Sequence, residues 1–378
     1  MSAAPEAFSA HDHALMARAL RLAERGLATT RPNPCVGCVI AQGEEVVGEG
    51  WHERAGGPHA EVRALAAAGP RARGATAYVT LEPCGLHGRT PPCADALVAS
   101  GIARVVVASE DASQAAGGAA ARLRDAGVAV AHGLMREAAR ELNRGFFSRI
   151  ERGRPWLRVK LAASLDGRTA LASGASQWIT GAPARADVQQ WRARSGALLT
   201  GIGTVLADDP SLTLRLPDTD AEAVPRRDVP APLRVVLDRR LRTPPSARVL
   251  DGAAPTLLLH ARGAAADSRF ERVECVAVDA SPSGVDAEAV LALLAARGIN
   301  EVQVEAGPIL SGALLAAGLV DELLLYLAPC LLGDAGRPLL NLPPLTDLAA
   351  RWRLRTRDRR AVGDDLRLLL RPEAGGAA

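Results

Sequence analysis

Helix and strand signals alternate along the whole chain, and the alternation starts again once, near residue 150. The first run opens with apolar residues at helical spacing over 12–27, and the second opens with the strand-like segment WLRVKLAAS. Between them, RGFFSRIERGRP is basic and ends in glycine and proline, which are typical of a connection. Alternation of this kind is typical of α/β domains with mostly parallel sheets. We therefore predict two α/β domains, residues 1–150 and 151–378.

The order of elements inside each domain follows from the same patterns. Further helices are predicted at 59–68, 93–100 and 288–297. Strands are predicted in VGCVIA, EEVVGEGWH, ATAYVTLE, ARVVVAS and VAVAHG, then at 233–237, 256–260 and 273–278, and in EVQVEAG and ELLLYLAPCLLG. The last two segments, WRLRTRD and DLRLLLR, alternate apolar and polar residues, which predicts an antiparallel pair at a sheet edge. The Pro- and Asp-rich stretch 217–232 is predicted to be a surface loop, and no internal repeat is found.

Composition excludes several classes of protein. A net charge of +3 over 378 residues, with no polybasic block, argues against a protein that binds nucleic acid or a membrane surface. The apolar runs are too short to span a bilayer, and the first twenty residues lack the pattern of a secretory signal. Six cysteines do not make a disulfide scaffold. We expect a cytoplasmic protein without nucleic-acid or membrane partners.

A zinc site is predicted where three potential ligands stand at the ends of predicted elements. His59 opens a helix, Cys84 follows a strand, and Cys93 opens the next helix. One imidazole and two thiolates provide three zinc ligands and leave a fourth position for water, whose pKa zinc lowers toward neutrality. Helix N-termini also favour thiolates electrostatically. Glu61, two residues after the histidine, would lie beside that water and transfer protons without binding the metal.

The spacing supports this interpretation and leaves an alternative. Zinc nucleobase deaminases carry H-x-E followed by P-C-x-x-C. Here PHAE and EPC are present, but eight residues separate the two cysteines. The alternative is a pair of buried cysteines and a surface histidine. Cys35 and Cys38 also have metal-ligand spacing, but the second lies in a predicted strand, so we interpret them as core residues.

One lysine distinguishes the second domain. Lysine and arginine together number 45, and only Lys160 is a lysine. Arginine does not replace a compact ammonium that must give up a proton, so the retained lysine is a candidate for a specific role; the alternative is chance survival. Downstream, VEAGPILSGALL forms a glycine turn between a strand and a helix, which could bind phosphate. Taken alone, these motifs indicate an α/β ligand-binding domain and no more.

The full set of motifs resembles one family closely. The segments that carry the resemblance are NPCVGCVI, GEGWH, GGPHAEV, TLEPCGLHGRTPPC, KLAASLDGRTA, SQWITG, TGIGTVLADDP, VEAGP and DELLLYLAP. In number and order they are similar to the RibD family of bifunctional riboflavin biosynthesis proteins, from about residue 11 to the last strands. The resemblance implies a cytidine-deaminase-like first domain and a dihydrofolate-reductase-like second domain.

Two consecutive reactions are implied as well. In the first, a zinc hydroxide removes the 2-amino group of a diaminopyrimidinone that carries a ribosylamino 5′-phosphate. In the second, NADPH reduces the ribosyl group of the resulting uracil to a ribityl chain. The expected partner is therefore a pyrimidine ribosyl phosphate, and we also expect a homo-oligomer.

Site residues are transferred from the family where the motifs match. In the deaminase, His59, Cys84 and Cys93 would bind zinc, and Glu61 would transfer protons. The implied deaminase substrate contacts are Asn33, His52, Arg89 and Asp111. The implied reductase substrate contacts are Ser176, Arg192, Leu212, Arg215 and Glu305. The implied NADPH contacts are Ala162, Trp178, Thr204, Asp208 and the turn from Gly307. Lys160 occupies the family's lysine position and is the candidate catalytic residue of the reductase.

Three departures from the family pattern leave competing hypotheses. E-P-C-S-H-x-G has Gly85 and Leu86 in place of Ser and His, D-P-N-P is replaced by residues 111–114, and the lysine of A-P-K-L-L-G is Cys330. The first two affect the deaminase pocket. The leading hypothesis is a bifunctional deaminase and reductase. The second is a reductase whose deaminase domain has drifted and keeps zinc for structure, although the retained Glu61 argues against it. The third is a non-enzymatic module, which the density of polar motifs disfavours.

Overall fold

A computed structural model describes residues 8–85, 92–113, 118–216, 228–264, 268–281 and 284–373. The described residues divide into two compact units, the first ending at Arg152 and the second beginning at Gly153. This division lies within two residues of the boundary that the basic Gly- and Pro-containing segment predicts. Among the described residues, no helix combines the length and apolarity needed to cross a membrane.

The first unit is one mixed sheet between two layers of helices. Its strands are β1 Gly37–Gln42, β2 Glu45–Trp51, β3 Thr76–Leu81, β4 Arg104–Ser109 and β5 Ala129–His132. Its helices are α1 Ala10–Glu24, α2 Ala60–Ala68, α3 Cys93–Ala99, α4 Ala119–Asp125, α5 Arg136–Leu142 and α6 Arg144–Arg152. The strand order is β2-β1-β3-β4-β5. Apolar side chains that alternate along the strands form one core against α2, α3 and α4 and another against α1 and α5.

Two sequence expectations for this unit need correction. The sheet is not mostly parallel at its β1 end, because β1 pairs antiparallel with both β2 and β3, whereas β3, β4 and β5 are parallel. The turn at Gly43, with φ of 61°, joins β1 and β2 as a hairpin, so these two strands run in opposite directions. Helix α1 also begins and ends earlier than 12–27, because Ser9 caps its N-terminus in a capping box with Asp12.

The second unit is a nine-stranded sheet with helices on both faces. Its strands are β6 Trp156–Ser164, β7 Arg168–Ala170, β8 Ala197–Gly201, β9 Leu233–Leu237, β10 Thr256–Ala261, β11 Glu274–Val278, β12 Ala280–Ser281, β13 Gly284–Val285, β14 Glu301–Val304, β15 Glu322–Ala328, β16 Arg337–Pro338, β17 Leu354–Val362 and β18 Asp365–Pro372. Its helices are α7 Ala182–Arg194, α8 Ile202–Asp208, α9 Ala287–Ala296 and α10 Pro308–Ala316. The main sheet has the order β11-β10-β9-β8-β14-β6-β15-β18-β17, and β12–β13 and β7–β16 form two small separate pairs.

Strand direction in this sheet determines where a ligand can bind. From β11 to β15 every neighbouring pair is parallel, and β18 and β17 form the antiparallel edge pair that the alternating sequence predicts. Strand β15 ends at Ala328, earlier than the apolar run, because Pro329 cannot donate a backbone hydrogen bond. In parallel sheets, ligands bind beyond the carboxyl ends of the strands. The motifs after β6, β8, β9 and β14 all lie at such ends.

Candidate functional site

The three predicted zinc ligands lie together in the first unit. His59 immediately precedes α2, Cys84 follows the carboxyl end of β3, and Cys93 is the first residue of α3. Their potential ligand atoms all lie within 4.8 Å of one another. His59 Nδ1 is 3.2 Å from Cys93 Sγ and 3.6 Å from Cys84 Sγ. Three elements that are distant in sequence therefore converge on one small volume.

Close packing of α2 against β2 fixes the position of His59. A Cβ added at Gly48 would lie 2.3 Å from the carbonyl oxygen of Ala64, and one added at Gly50 would lie 2.5 Å from that of Ala60. Both distances are too short for any side chain, so the two glycines let the helix approach the strand. The motif GEGWH thus supports the start of α2 as well as contributing His52.

The electrostatics of the cluster suit a divalent metal that prefers nitrogen and sulfur. Hydrogen bonds from the Cys93 side chain and from His59 lower the pKa of Cys84, despite its burial. The backbone N–H of Cys93 also donates to Cys84 Sγ at 3.3 Å. The hydrogen bond to Cys84 and burial raise the pKa of Cys93. One imidazole and two such thiols fit zinc, which leaves one coordination position for a reactant.

Glu61 is buried in the first turn of α2 with only 3% of its surface exposed. Burial raises the pKa of its carboxyl, although the positive charge of His59 partly opposes this. A carboxyl with a raised pKa is suited to accept and release a proton near neutral pH. Cys38 lies close enough for the charge of Glu61 to raise its thiol pKa, in addition to burial. Cys35 and Cys38 are both buried, as the interpretation of them as core residues expects.

The structure describes three of the four predicted deaminase substrate contacts, and two of these three lie beside the zinc ligands. His52 Nε2 is 3.2 Å from Asn33 Nδ2, and its ring packs edge-on against His59 with centroids 5.3 Å apart. Asn33 and His52 therefore lie beside the zinc ligands. Asp111 lies beyond the end of β4, where its carboxylate accepts hydrogen bonds from the backbone and the hydroxyl of Ser113. Arg89 and Leu86 lie outside the described residues.

The second unit contains a cavity of about 1390 Å³ at the carboxyl ends of the parallel strands. Every residue that the sequence assigns to the reductase lines it. These are Lys160, Ala162, Ser176, Trp178, Arg192, Thr204, Asp208, Leu212, Arg215, Glu305 and Gly307. Several strands contribute, so the cavity exists only when the sheet is assembled.

A charged group occupies the wall of this cavity formed by β6, β14 and α7. Arg192 donates from Nε and Nη2 to the two carboxylate oxygens of Glu305, at 2.6 and 2.7 Å. Gln303 Nε2 donates to the same carboxylate at 2.9 Å. Burial would raise the pKa of Glu305, but Arg192, together with Lys160 and Gln303, lowers it to about 2. Burial lowers the pKa of Lys160, a shift that Glu305 opposes and Arg192 reinforces.

Other parts of the cavity suit a dinucleotide. Gly307 precedes α10, and its N–H donates to Thr204 Oγ1 at 3.3 Å, which joins two predicted NADPH contacts. The indole of Trp178 is 67% exposed, and Arg185 lies 4.6 Å above its ring. A large cavity with an exposed aromatic ring and cationic walls fits the planar rings and phosphates of NADPH.

Sequence reasoning missed a group of arginines that line the same cavity. They are Arg239, Arg240, Arg242 and Arg248. All four are exposed, and within the described part of the chain they form no ion pair. For the first three, the signal was the cluster of arginines in LDRRLR, at the end of a predicted strand, where the carboxyl end of β9 meets the cavity.

Comparison with known proteins matches each of the two units to a known domain. A family model described as the RibD C-terminal domain matches residues 155–368, and a model of the cytidine and deoxycytidylate deaminase zinc-binding region matches residues 9–109. The riboflavin biosynthesis protein RibD of Escherichia coli is 50% identical over 365 residues, covering 95% of this chain and 99% of that protein. The Haemophilus influenzae protein of the same name is 44% identical and covers 97% and 99%.

Solved structures show the same relationship. Acinetobacter baumannii RibD has a TM-score of 0.87 at 42% identity and covers 96% of this chain and 99% of its own. A Thermotoga maritima deaminase/reductase has a TM-score of 0.84 at 31% identity, with the same coverage. The similarity thus extends over both units and includes the zinc-binding region and the reductase domain. The chain belongs to the RibD family, the bifunctional zinc-dependent deaminases and NADPH-dependent reductases of riboflavin biosynthesis.

Proposed function

We propose that the two units catalyse consecutive steps on one pyrimidine. The first is hydrolytic deamination of a diaminohydroxyphosphoribosylaminopyrimidine, and the second is reduction of 5-amino-6-(5-phosphoribosylamino)uracil, the reactions that name the Thermotoga maritima relative. The observation that carries the proposal is that one chain holds both a His-Cys-Cys group beside a buried glutamate and a cavity with a buried lysine and glutamate.

In the deaminase, His59, Cys84 and Cys93 would hold zinc, and Glu61 would carry the protons. Zinc supplies, when bound, a water that is acidic enough to react at neutral pH. Glu61 would take one proton from the attacking water and release it to a ring nitrogen of the pyrimidine, and would then take the second proton of that water and give it to the amino group that leaves as ammonia. Its raised pKa supports this role, because such a carboxyl holds a proton and also gives it up readily. Asn33 and His52 are assigned to orienting the pyrimidine.

In the reductase, Lys160 and Glu305 act on the ribosyl group. NADPH supplies, when bound, the hydride for the anomeric carbon. The bond from that carbon to the ring oxygen must break, and the ring oxygen must receive a proton, before a ribityl chain results. We assign this proton to Lys160, whose pKa is lowered by burial and which therefore releases a proton more readily than an ordinary lysine. Glu305, held by Arg192, stays ionised and is assigned to binding sugar hydroxyls.

A coupled assay tests this function. The purified chain is given the diaminopyrimidine ribosyl phosphate, and ammonia and NADPH are followed separately. We expect one ammonia to be released and one NADPH to be oxidised per substrate, with the ammonia appearing first. NADPH oxidation only when the deaminated uracil is supplied would mean that the chain is a reductase with a structural zinc domain. If the chain neither releases ammonia nor oxidises NADPH, the proposal is wrong.

Location and assembly belong to the same proposal. We propose a cytoplasmic homo-oligomer. All six cysteines are free thiols, which suits a reducing compartment. The outer edge of β17, nine residues long, pairs with no strand in the described parts of the chain, and such an edge is able to pair with another chain. Light scattering coupled to gel filtration gives the oligomeric state, and a strict monomer would contradict this part of the proposal.

A further inference from the structure

The side chain of Asn143 binds the backbone of a loop that lies 108 positions earlier in the chain. Asn143 lies between α5 and α6 and is only 4% exposed. Its Oδ1 accepts a hydrogen bond from the N–H of Cys35 at 2.7 Å, and its Nδ2 donates to the carbonyl oxygen of Cys35 at 2.8 Å. One amide therefore holds both backbone groups of one residue, as a paired residue on an antiparallel strand would.

The two helices fix the position of this amide. The N–H of Asn143 donates to the carbonyl oxygen of Ala139 at 3.2 Å, and its carbonyl oxygen accepts from the N–H of Phe147 at 3.0 Å. The backbone of Asn143 thus continues the hydrogen bonding of α5 into α6, and its side chain is left to bind the loop. Because Cys35 is also buried, removal of the amide would take two hydrogen bonds from a place that water does not reach.

The loop that Asn143 holds carries two groups in contact with His52. Asn33 Nδ2 lies 3.2 Å from His52 Nε2, and the carbonyl oxygen of Val36 accepts from the N–H of His52 at 2.9 Å. Cys35 lies between these two contacts in sequence, and the ring of His52 packs against that of His59. A shift of the backbone at Cys35 would therefore move both predicted substrate contacts, Asn33 and His52, relative to a zinc ligand.

Helix α6 packs against three loops of the same site. Phe146 and Phe147 form a buried cluster to which each loop contributes one residue, Leu81, Val36 or Ala112. Leu81 ends β3 shortly before the first cysteine ligand, Val36 belongs to the loop that Asn143 holds, and Ala112 belongs to the loop after β4. The segment that the sequence indicates as a connection between domains is thus a supporting part of the deaminase unit.

We propose that Asn143 is a positioning residue of the deaminase, which acts through the backbone of Cys35 to hold Asn33 and His52 at the pyrimidine site. Among the described residues, its side chain bonds only to backbone groups. An amide suits this task because it offers an acceptor and a donor side by side, as a peptide does. The inference rests on the proposed function and adds a residue to it. Since other elements carry the zinc ligands, Asn143 affects pyrimidine binding and not metal binding.

The first experiment measures the loop without turnover. Hydrogen exchange of the full-length protein is followed by mass spectrometry for wild type, Asn143→Leu and Asn143→Ser. In Asn143→Leu, which keeps the shape but has no polar group, the peptide that contains Cys35 should exchange about tenfold or more faster. The milder Asn143→Ser should change exchange in the same direction by less. Peptides from α2 and α3 should exchange as in wild type. Unchanged exchange at Cys35 would overturn the role of Asn143 in holding the loop.

The second experiment separates positioning from general stability. Asn143→Leu should raise the KM for the diaminopyrimidine substrate about tenfold, leave kcat within about threefold, and keep zinc close to one per chain. The matched control is Ile102→Ala, which truncates a buried side chain just before β4, at the opposite end of that strand from the site. It should lower the Tm but leave the KM within about twofold. A normal KM in Asn143→Leu, or loss of its zinc, would overturn the positioning role.

A double variant tests the route through the loop. If Asn143 acts through the segment that carries Asn33, then Asn33→Ala and Asn143→Leu together should raise the KM by less than the product of their separate effects. Effects that multiply would overturn this route. If wild type releases no ammonia, the proposed function fails, and calorimetric titration of the zinc-loaded protein with the diaminopyrimidine then decides the role of Asn143. Binding about tenfold weaker in Asn143→Leu would support positioning, and equal binding would overturn it.

Discussion

Two carboxylates, Glu61 in the deaminase and Glu305 in the reductase, lie close to functional groups yet have opposite electrostatic environments. Burial raises the pKa of Glu61, and no arginine or lysine pairs with it among the described residues. Burial alone would also raise the pKa of Glu305, but the guanidinium of Arg192 lowers that pKa to about 2. The first carboxyl exchanges protons readily, whereas the second keeps its charge. The comparison shows that the neighbouring cation decides what a buried carboxylate can do.

The most direct way to break the comparison is Glu61→Gln. The amide keeps the shape but cannot accept a proton, so we expect deamination to fall on the order of a thousandfold. Zinc content should remain close to one per chain, because Glu61 is not among the ligand group. Ammonia release and elemental analysis measure the two quantities. Glu44→Gln, at an exposed position, is the control. Loss of the metal, or normal deamination, would show that the assigned role is wrong.

Glu305→Gln tests the other carboxylate through the pH dependence of the free energy of unfolding. Because its folded pKa of about 2 lies below the ordinary value of 4.5, its stabilising effect is complete above pH 4.5 and is lost as the pH falls toward 2. The shift corresponds to about 3 kcal/mol of unfolding free energy. Urea unfolding of wild type and variant at several pH values should show a smaller loss between pH 4.5 and 2 in the variant. Parallel curves would contradict the ion pair with Arg192.

The two sites also differ in how far the sequence predicts them. The zinc ligands and Glu61 are carried by short motifs at the ends of elements, so local pattern and chemistry are enough to find them. Lys160 was found because it is the only lysine. By contrast, the pairing of Arg192 with Glu305 joins residues 113 positions apart. No local pattern reports that the guanidinium binds a carboxylate, and the sequence interpretation names Arg192 and Glu305 only as two separate substrate contacts.

The fold shows the same limit. Alternation and strand composition predicted the succession of elements and the edge pair β17–β18. The reversed direction of β1 depends on a tight turn, and the earlier start of α1 depends on a cap by Ser9. The position of Arg248 depends on Arg234, which bridges two loops from inside the core. Such contacts join segments that only the assembled sheet brings together.

Lys160→Arg extends the comparison to the group that faces Glu305. Arginine keeps the positive charge but not the compact ammonium or its readiness to release a proton. We expect the reductase kcat to fall by about tenfold or more, while ammonia release stays at the wild-type level. Single-turnover oxidation of NADPH with the uracil substrate measures the change. Unchanged turnover would leave Lys160 as a chance survivor among the 45 basic residues.

The smallest expected effect concerns Leu86, which lies outside the described residues and stands where the family has histidine. Leucine offers no hydrogen-bond donor or acceptor to the substrate. Restoring one hydrogen bond of about 0.5–1.5 kcal/mol should lower the deaminase KM by roughly two- to tenfold in Leu86→His, with kcat little changed. The preceding family serine is less suitable for a test, because a Cβ at Gly85 would lie 3.1 Å from the backbone nitrogen of Ala119.

His87→Ala is the matched measurement, since a shift of the loop by one residue would let His87 take the missing role. If His87→Ala raises the KM and Leu86→His changes nothing, His87 has replaced the family histidine. If neither substitution has an effect and no ammonia is released at all, by wild type included, the deaminase has drifted, and Glu61 no longer serves proton transfer.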